Sequence, residues 1–261
     1  MPQDPWAALA DPFVDGAYAS VKGHVRTLVL HSQLLRHLPA PPAAVLDVGG
    51  GAAHQSLPLA RIGYDVTVLD PSPAMLAKAE QRVGAEPDDV RRRVRLVEAA
   101  GERAEEATGG QRFAAVLCHG VLMYVRQPEP LLAALCRCAS PGGVVSVMAL
   151  NARTLAVRPA LERRWADALA AFDATGEVGV LGADTRADTV EGLSDLMRRH
   201  QVDPQAWYGV WLFTDWMDLP PAGTDVAAVA EVELRASLHD PYRQLSRVFH
   251  LVGRRSSDAV S

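Results

Sequence analysis

Ala44-Val-Leu-Asp47-Val-Gly49-Gly-Gly51-Ala-Ala53 is the stretch that decides the fold of this chain. A short apolar run enters it, an acid sits near its end, and glycines follow. A helical pattern begins at about Gln55, and Val66-Thr-Val-Leu-Asp70 is a second apolar run closed by an acid. The order is strand, glycine loop, helix, strand, with a carboxylate at the end of each strand. Glycine lets the backbone come close to a ligand, and a helix start offers free N–H groups. An acid ending the second strand suits the two hydroxyls of a ribose.

The spacing separates the nucleotide folds. A dinucleotide site wants Gly-x-Gly-x-x-Gly around a pyrophosphate, whereas this loop reads Asp47-x-Gly49-x-Gly51-x-Ala53. A carboxylate two residues before the first glycine repels phosphate and suits an ammonium. A phosphate-cradling Walker loop needs Gly-Lys-Ser/Thr, and no lysine follows these glycines. The pattern resembles the first motif of the class I S-adenosylmethionine-dependent methyltransferases.

Composition points to a soluble enzyme. The chain has 261 residues, 49% of them hydrophobic, and a formal net charge of −5. That length suffices for one α/β domain with a sizeable core. No apolar run reaches the length of a membrane span, and Met1-Pro-Gln-Asp-Pro-Trp6 has no basic and apolar leader pattern. The cysteines, Cys118, Cys136 and Cys138, lack metal-ligand spacing, so no metal and a reduced, cytoplasmic setting are expected. With this acidic balance, a nucleic-acid partner requires a local basic patch.

The pattern predicts helices over 17–37, 55–62, 74–83 and 130–138. It predicts strands over 45–48, 66–69, 94–98, 113–118 and 144–150, with Ser140-Pro-Gly-Gly143 as a turn. Ser72 is placed to cap the third of these helices. Beyond Asn151 it predicts a helix over 154–173, a loop or lid over 176–188 and a helix over 189–200. A strand over 207–213, a helix over 226–238 and a strand over 248–252 follow. Trp207, Tyr208, Trp211, Phe213 and Trp216 read as packing residues along and past that strand. The alternation implies a doubly wound, mostly parallel α/β sheet of seven strands, Rossmann-like, with an N-terminal helix and a helical insertion after strand five. Residues 1–255 read as a single domain. It divides into an N-terminal helical cap (1–40), a cofactor-binding core (44–150) and a substrate-side insertion with closing strands (151–255), with 256–261 as a flexible tail.

The resemblance extends along the chain. Val116-Leu-Cys-His119-Gly-Val-Leu-Met-Tyr-Val125 is similar to the methyltransferase motif in which the fourth strand ends over the ligand. Leu135 to Gly143 resembles the following helix and its Pro-Gly-Gly turn. Gly101-Glu102 lies in the loop where the family holds adenine. A narrower resemblance is to the bacterial tRNA 5-carboxymethoxyuridine methyltransferases, which esterify a wobble-base carboxylate. Tyr18, Lys22, Gly23 and Arg26 match that family's N-terminal element, and Asp47 to Gly51 its glycine loop. His119, Asn151-Ala152, Asp240-Pro241-Tyr242 and Arg247-Val-Phe-His250 match its later motifs.

The resemblance implies S-adenosyl-L-methionine as cofactor. It implies that Arg26 grips the methionine carboxylate and Asp70 the ribose, with Asp47, Gly49, Gly50, Gly51, Gly101, Glu102 and His119 around the cofactor. Lys22, Tyr124 and Arg247 are the candidates for holding the methyl acceptor. No obligatory nucleophile or catalytic dyad is visible, as expected for transfer to a carboxylate that is already ionised. The chain departs from the narrower family in two places. Gly51-Ala52-Ala53 stands where the family has Gly-Glu-Gly, and 176–186 is nearly without positive charge where tRNA-binding members can carry lysines. The acceptor is therefore expected to be tRNA or, on the same scaffold, a small molecule.

Overall fold

The computed structural model describes residues 7–8, 10–179 and 182–257. The tail residues 258–261 lie outside the described residues. Strands β1 (Ala44–Val48), β2 (Asp65–Asp70), β3 (Val94–Glu98), β4 (Phe113–His119), β5 (Ala139–Leu150), β8 (Val202–Val210) and β9 (Val248–Arg255) form one sheet. Its order is β3-β2-β1-β4-β5-β9-β8. Pairing is parallel from β3 through β5, and β9 runs antiparallel to both β5 and β8. The expected mostly parallel sheet of seven strands is thus what the chain builds, with β9 as its antiparallel member.

The helices are α1 (Val21–Leu35), α2 (Ser56–Arg61), α3 (Pro73–Gly84), α4 (Asp88–Arg91), α5 (Ala104–Ala107), α6 (Pro128–Cys138), α7 (Val157–Leu161), α8 (Trp165–Ala171), α9 (Val190–Arg199) and α10 (Val226–Ala236). Alternation along β1 sends Leu46 and Val48 to a core shared with α6 and α9, and Val45 to one shared with α2 and α3. Both faces of the sheet are therefore covered, as parallel strands require. Ser72 caps α3, its hydroxyl accepting from the Met75 N–H at 3.2 Å.

Four local expectations are corrected. Ser140–Gly143 is no free turn: β5 starts at Ala139 and these residues form a bulge between the Phe113 and Ala115 pairings. The helix over 154–173 is broken into α7 and α8, because the chain turns at Arg163, whose φ is 60°. The loop over 176–188 contains a small hairpin of β6 (Gly176–Val178) and β7 (Asp184–Arg186). The strand over 207–213 instead spans β8, pairing with β9 as far as Val210, and Trp211 leaves it with φ 57°.

The strand order reverses between β1 and β4, so their C-terminal ends splay apart and open a crevice there. A π-helical turn, Pro12–Tyr18, and α1 close over that crevice.

Candidate active site

The loop after β1 is held by its own backbone. The Gly49 and Gly50 N–H groups donate to the Leu69 carbonyl at 2.7 and 3.3 Å, clamping the loop against the end of β2. Gly49 has φ +68°, and a Cβ there would run into the Val121 side chain. Asp70, at the end of β2, accepts from the Gly51 N–H through Oδ2 and from the Ser72 N–H through Oδ1, both at 2.9 Å. Ala53, where the narrower family has glycine, is held at φ 61°.

These elements floor a cleft of about 610 Å³. Lys22, Arg26, Gly49, Gly50, Gly51, Asp70, Gly101, Glu102, His119, Tyr124 and Arg247 all line it. Asp47 does not. It lies beneath the loop, 2% exposed, and its Oδ2 accepts from the Ser56 hydroxyl at 2.6 Å. Burial pushes its carboxyl up to about 6 against the opposing pull of the Ser56 hydrogen bond.

Arg26 is buried, although a lone arginine on a helix is exposed by default. Its Nη1 donates to the Tyr18 hydroxyl at 2.8 Å, and its guanidinium lies over the Tyr18 and Trp211 rings at 5.0 and 5.8 Å. Tyr18 stacks on His54, with ring centroids 3.9 Å apart. His54, in the first turn after the glycine loop, thus lines the cleft, and burial drives its imidazole down to about 3.

The adjoining wall, across the Trp211 ring, is ionic. Asp215, whose side chain has no exposed surface, pairs with Lys22 and with Arg158, the latter at 2.7 Å. Arg247 pairs with Glu177 from β6 and stands 3.9 Å from Asp215. Its Nη1 is buried without a hydrogen-bond partner among the described residues. Burial, then the neighbouring Arg158, lowers the Arg247 guanidinium to about 10, and burial lowers Lys22 despite Asp215. Lys22 also sits over the Trp211 ring, 4.5 Å from its centroid.

Several supports are invisible in the local sequence. Glu233 on α10, 1% exposed, accepts the N–H groups of Leu212, Phe213 and Thr214 at 2.7–2.8 Å, fixing the turn that carries Trp211 and Asp215. Trp211 packs against the core as expected and is cleft wall as well, because the positive φ that ends β8 swings it out of the strand's alternation. Asn151 donates to the Ser246 carbonyl at 3.0 Å and so holds the approach to Arg247. The sequence carries one local sign of this wall, the acid Asp215 inside an aromatic run.

The donor set fits S-adenosylmethionine. A guanidinium, a strand-end carboxylate, a glycine floor and the loop at Gly101-Glu102 face one cavity. Comparison with known proteins agrees. Residues 46–145 match the model of a methyltransferase domain. The chain is 26% identical to the tRNA 5-carboxymethoxyuridine methyltransferase of Escherichia coli K12, over 97% of each chain. Among solved structures it resembles a Haloferax volcanii methyltransferase crystallised with the Trm112 activator. That likeness has TM-score 0.63 at 17% identity, covering 98% of this chain and 100% of that one. It also resembles the Burkholderia thailandensis 1,6-didemethyltoxoflavin-N1-methyltransferase holding S-adenosylhomocysteine, with TM-score 0.55 at 19% identity, covering 98% and 91%. Among the described residues no helix is long and apolar enough to cross a membrane. Glycine loop, strand-end acid, sheet order and these likenesses together identify the chain as an S-adenosylmethionine-dependent methyltransferase with the class I fold.

Proposed function

We propose that the enzyme methylates a carboxylate, and that the acceptor is the carboxymethoxy group of a tRNA wobble uridine. The carrying observation is the ionic wall. Among the described residues Lys22, Arg158 and Arg247 pair with Asp215 and Glu177, three cations to two acids, beside a buried guanidinium nitrogen with no hydrogen-bond partner. A buried cation without a counter-charge is costly, so the wall is complementary to an anion entering from the cleft. The scattered residues of the narrower resemblance support the same reading. Tyr18, Lys22, Arg26 and Arg247 meet at the cleft, and Asn151 and His250 lie directly behind it.

In this reading Arg26 holds the methionine carboxylate, Asp70 the ribose, the Gly49–Gly51 backbone the chain between them, and Gly101-Glu102 the adenine. Asp47 acts from below, by shaping the loop. Lys22 and Arg247 orient the acceptor carboxylate, with Tyr124 beside them. The bound cofactor supplies a methyl group already activated by its sulfonium. What the protein adds is alignment and exclusion of water. An ionised carboxylate needs no base, and burial keeps the Tyr124 phenol protonated. We further propose residues 1–255 as one functional unit, since the wall draws on α1, α7, β6 and the segment entering β9 together.

One observation favours a small-molecule acceptor instead. The surface arginines of the insertion are paired with acids: Arg164 with Glu162 and Asp167, Arg198 with Asp195, and Arg153 with Glu191. The decisive measurement is transfer of labelled methyl to carboxymethoxyuridine-containing tRNA and to a metabolite extract across a salt series. The tRNA reading expects label that alkali releases as methanol, as from an ester. It also expects affinity falling with a log–log slope of about −0.7 per phosphate contacted. Labelled metabolites with unlabelled tRNA would replace it with the small-molecule reading.

A further inference from the structure

Behind the cleft runs a buried polar chain that crosses the sheet. His119 Nε2 lies 2.8 Å from Ser146 Oγ, and Ser146 Oγ lies 2.7 Å from His250 Nε2. His250 Nδ1 lies 2.9 Å from Gln33 Oε1, and Gln33 Nε2 donates to the Gly209 carbonyl at 3.0 Å. Gln33, Ser146 and His250 have no exposed surface, and His119 is 8% exposed. The strands β4, β5 and β9 are neighbours, so the sheet register sets these side chains side by side; α1 supplies the glutamine.

The direction of every proton in this chain is determined at its far end. The Gly209 carbonyl can only accept, so it takes an amide hydrogen of Gln33 and turns Gln33 Oε1 toward His250. His250 Nδ1 must then carry hydrogen, which leaves its Nε2 as a lone pair. The Ser146 hydroxyl therefore donates to His250, and its oxygen accepts from His119 Nε2–H. His119 Nδ1 is left as a lone pair. It has no partner among the described residues, and His119 lines the cleft beside Arg26.

We propose that Gln33, His250 and Ser146 are positioning residues that lock His119 in the Nε2–H tautomer, so that its Nδ1 is a permanent acceptor for the ammonium of the cofactor's methionine moiety. An amino-acid moiety carries one carboxylate and one ammonium. Arg26 complements the first, and an acceptor that cannot turn into a donor complements the second. The lock reverses only if His250 becomes a cation, because both its nitrogens would then donate. Burial drives its pKa down to about 3, and the His37 charge just past the end of α1 adds to this. His119 is lowered likewise by burial, then by His250 and Arg26, and the other ring against His250 is the neutral Tyr208 on β8. The lock therefore holds throughout the neutral range, and His119 stays uncharged.

The test combines nitrogen NMR of histidine-labelled protein with calorimetry. In the wild type, His119 should show a bare Nδ1 and a protonated Nε2. Ser146→Ala and Gln33→Met should each convert it to a tautomer mixture, and Ser146→Thr should restore the wild-type spectrum. Gln33→Met lies outside the cleft, so it also serves should Ser146→Ala fail to fold. In a mixture only the Nε2–H fraction binds well, so both broken variants should bind S-adenosylhomocysteine about 2- to 10-fold more weakly, the reciprocal of a fraction of about one half to one tenth. They should bind 5′-(3-carboxypropylthio)adenosine, which lacks only the amine, as the wild type does. An unchanged His119 spectrum in both variants overturns the lock, and equal loss for the two ligands overturns the ammonium assignment. Neither readout involves a methyl acceptor, so the substrate reading stands or falls separately.

Discussion

At the scale of single residues, Asp47 shows how a motif acid can matter without touching a ligand. Its carboxyl is raised from 3.8 to about 6, chiefly by burial. Below the lower value the group is protonated whether folded or not. As pH rises, the unfolded chain gives up its proton first and folded stability declines; above about 6 the decline is complete. The shift corresponds to about 3 kcal/mol. Asp47→Asn keeps an acceptor for Ser56 and removes the titration. Urea titrations of the cofactor-free protein should show a gain of up to about 3 kcal/mol at neutral pH that disappears near pH 4. An equal gain at both values would mean that burial of charge is not the cause.

At the scale of elements, the hinge between the π-helical turn and α1 is the most constrained join in the cleft wall. A Cβ on Gly23 would strike the backbone of Ala17 and Tyr18, and backbone cannot step aside as a flexible side chain can. Gly23→Ala should push the 12–18 segment off α1 and carry Tyr18 away from Arg26. Calorimetry should show at least about a tenfold loss of S-adenosylhomocysteine affinity. The sheet core is untouched, so the far-ultraviolet spectrum should stay that of the wild type. Normal affinity in this variant would show that the segment is not part of the site. The elements also mark where the sequence was readable. The β1–loop–β2 unit, the Ser72 cap and His119 at a strand end follow from local pattern, because each rests on neighbours a few residues apart. Glu233, Ser146 and Gln33 carry no local signal, and Asp215 shows only as an acid within an aromatic run. Their partners lie far along the chain, Lys22 with Asp215 and Gln33 with His250 among them, and come together only through sheet order. The helix expected over 154–173 fails for a different reason: its apolar period continues through Arg163, where a single backbone reversal breaks it.

At the scale of the whole molecule, the cleft is assembled from parts distant in sequence, and the strand between β5 and β8 is decisive. β9 brings Arg247 at its threshold and His250 within it, and it pairs with β5 along Val144–Leu150. On a ribosome this means that β5 emerges with one edge bare and waits about a hundred residues for its neighbour, roughly 5–20 s at ordinary elongation rates. An unpaired edge is a template for misassociation, so the nascent polypeptide passes through an interval in which chaperone capture competes with closure. Stalled chains ending before Val248 should be cut by a short protease pulse within the 139–210 region. Chains in which Arg255 has cleared the exit tunnel should resist it and acquire S-adenosylhomocysteine binding at the same length. Equal protection at both lengths would count against this order of events. Placing β9, made after β8, inside the sheet makes ligand binding a report that translation has passed Arg255.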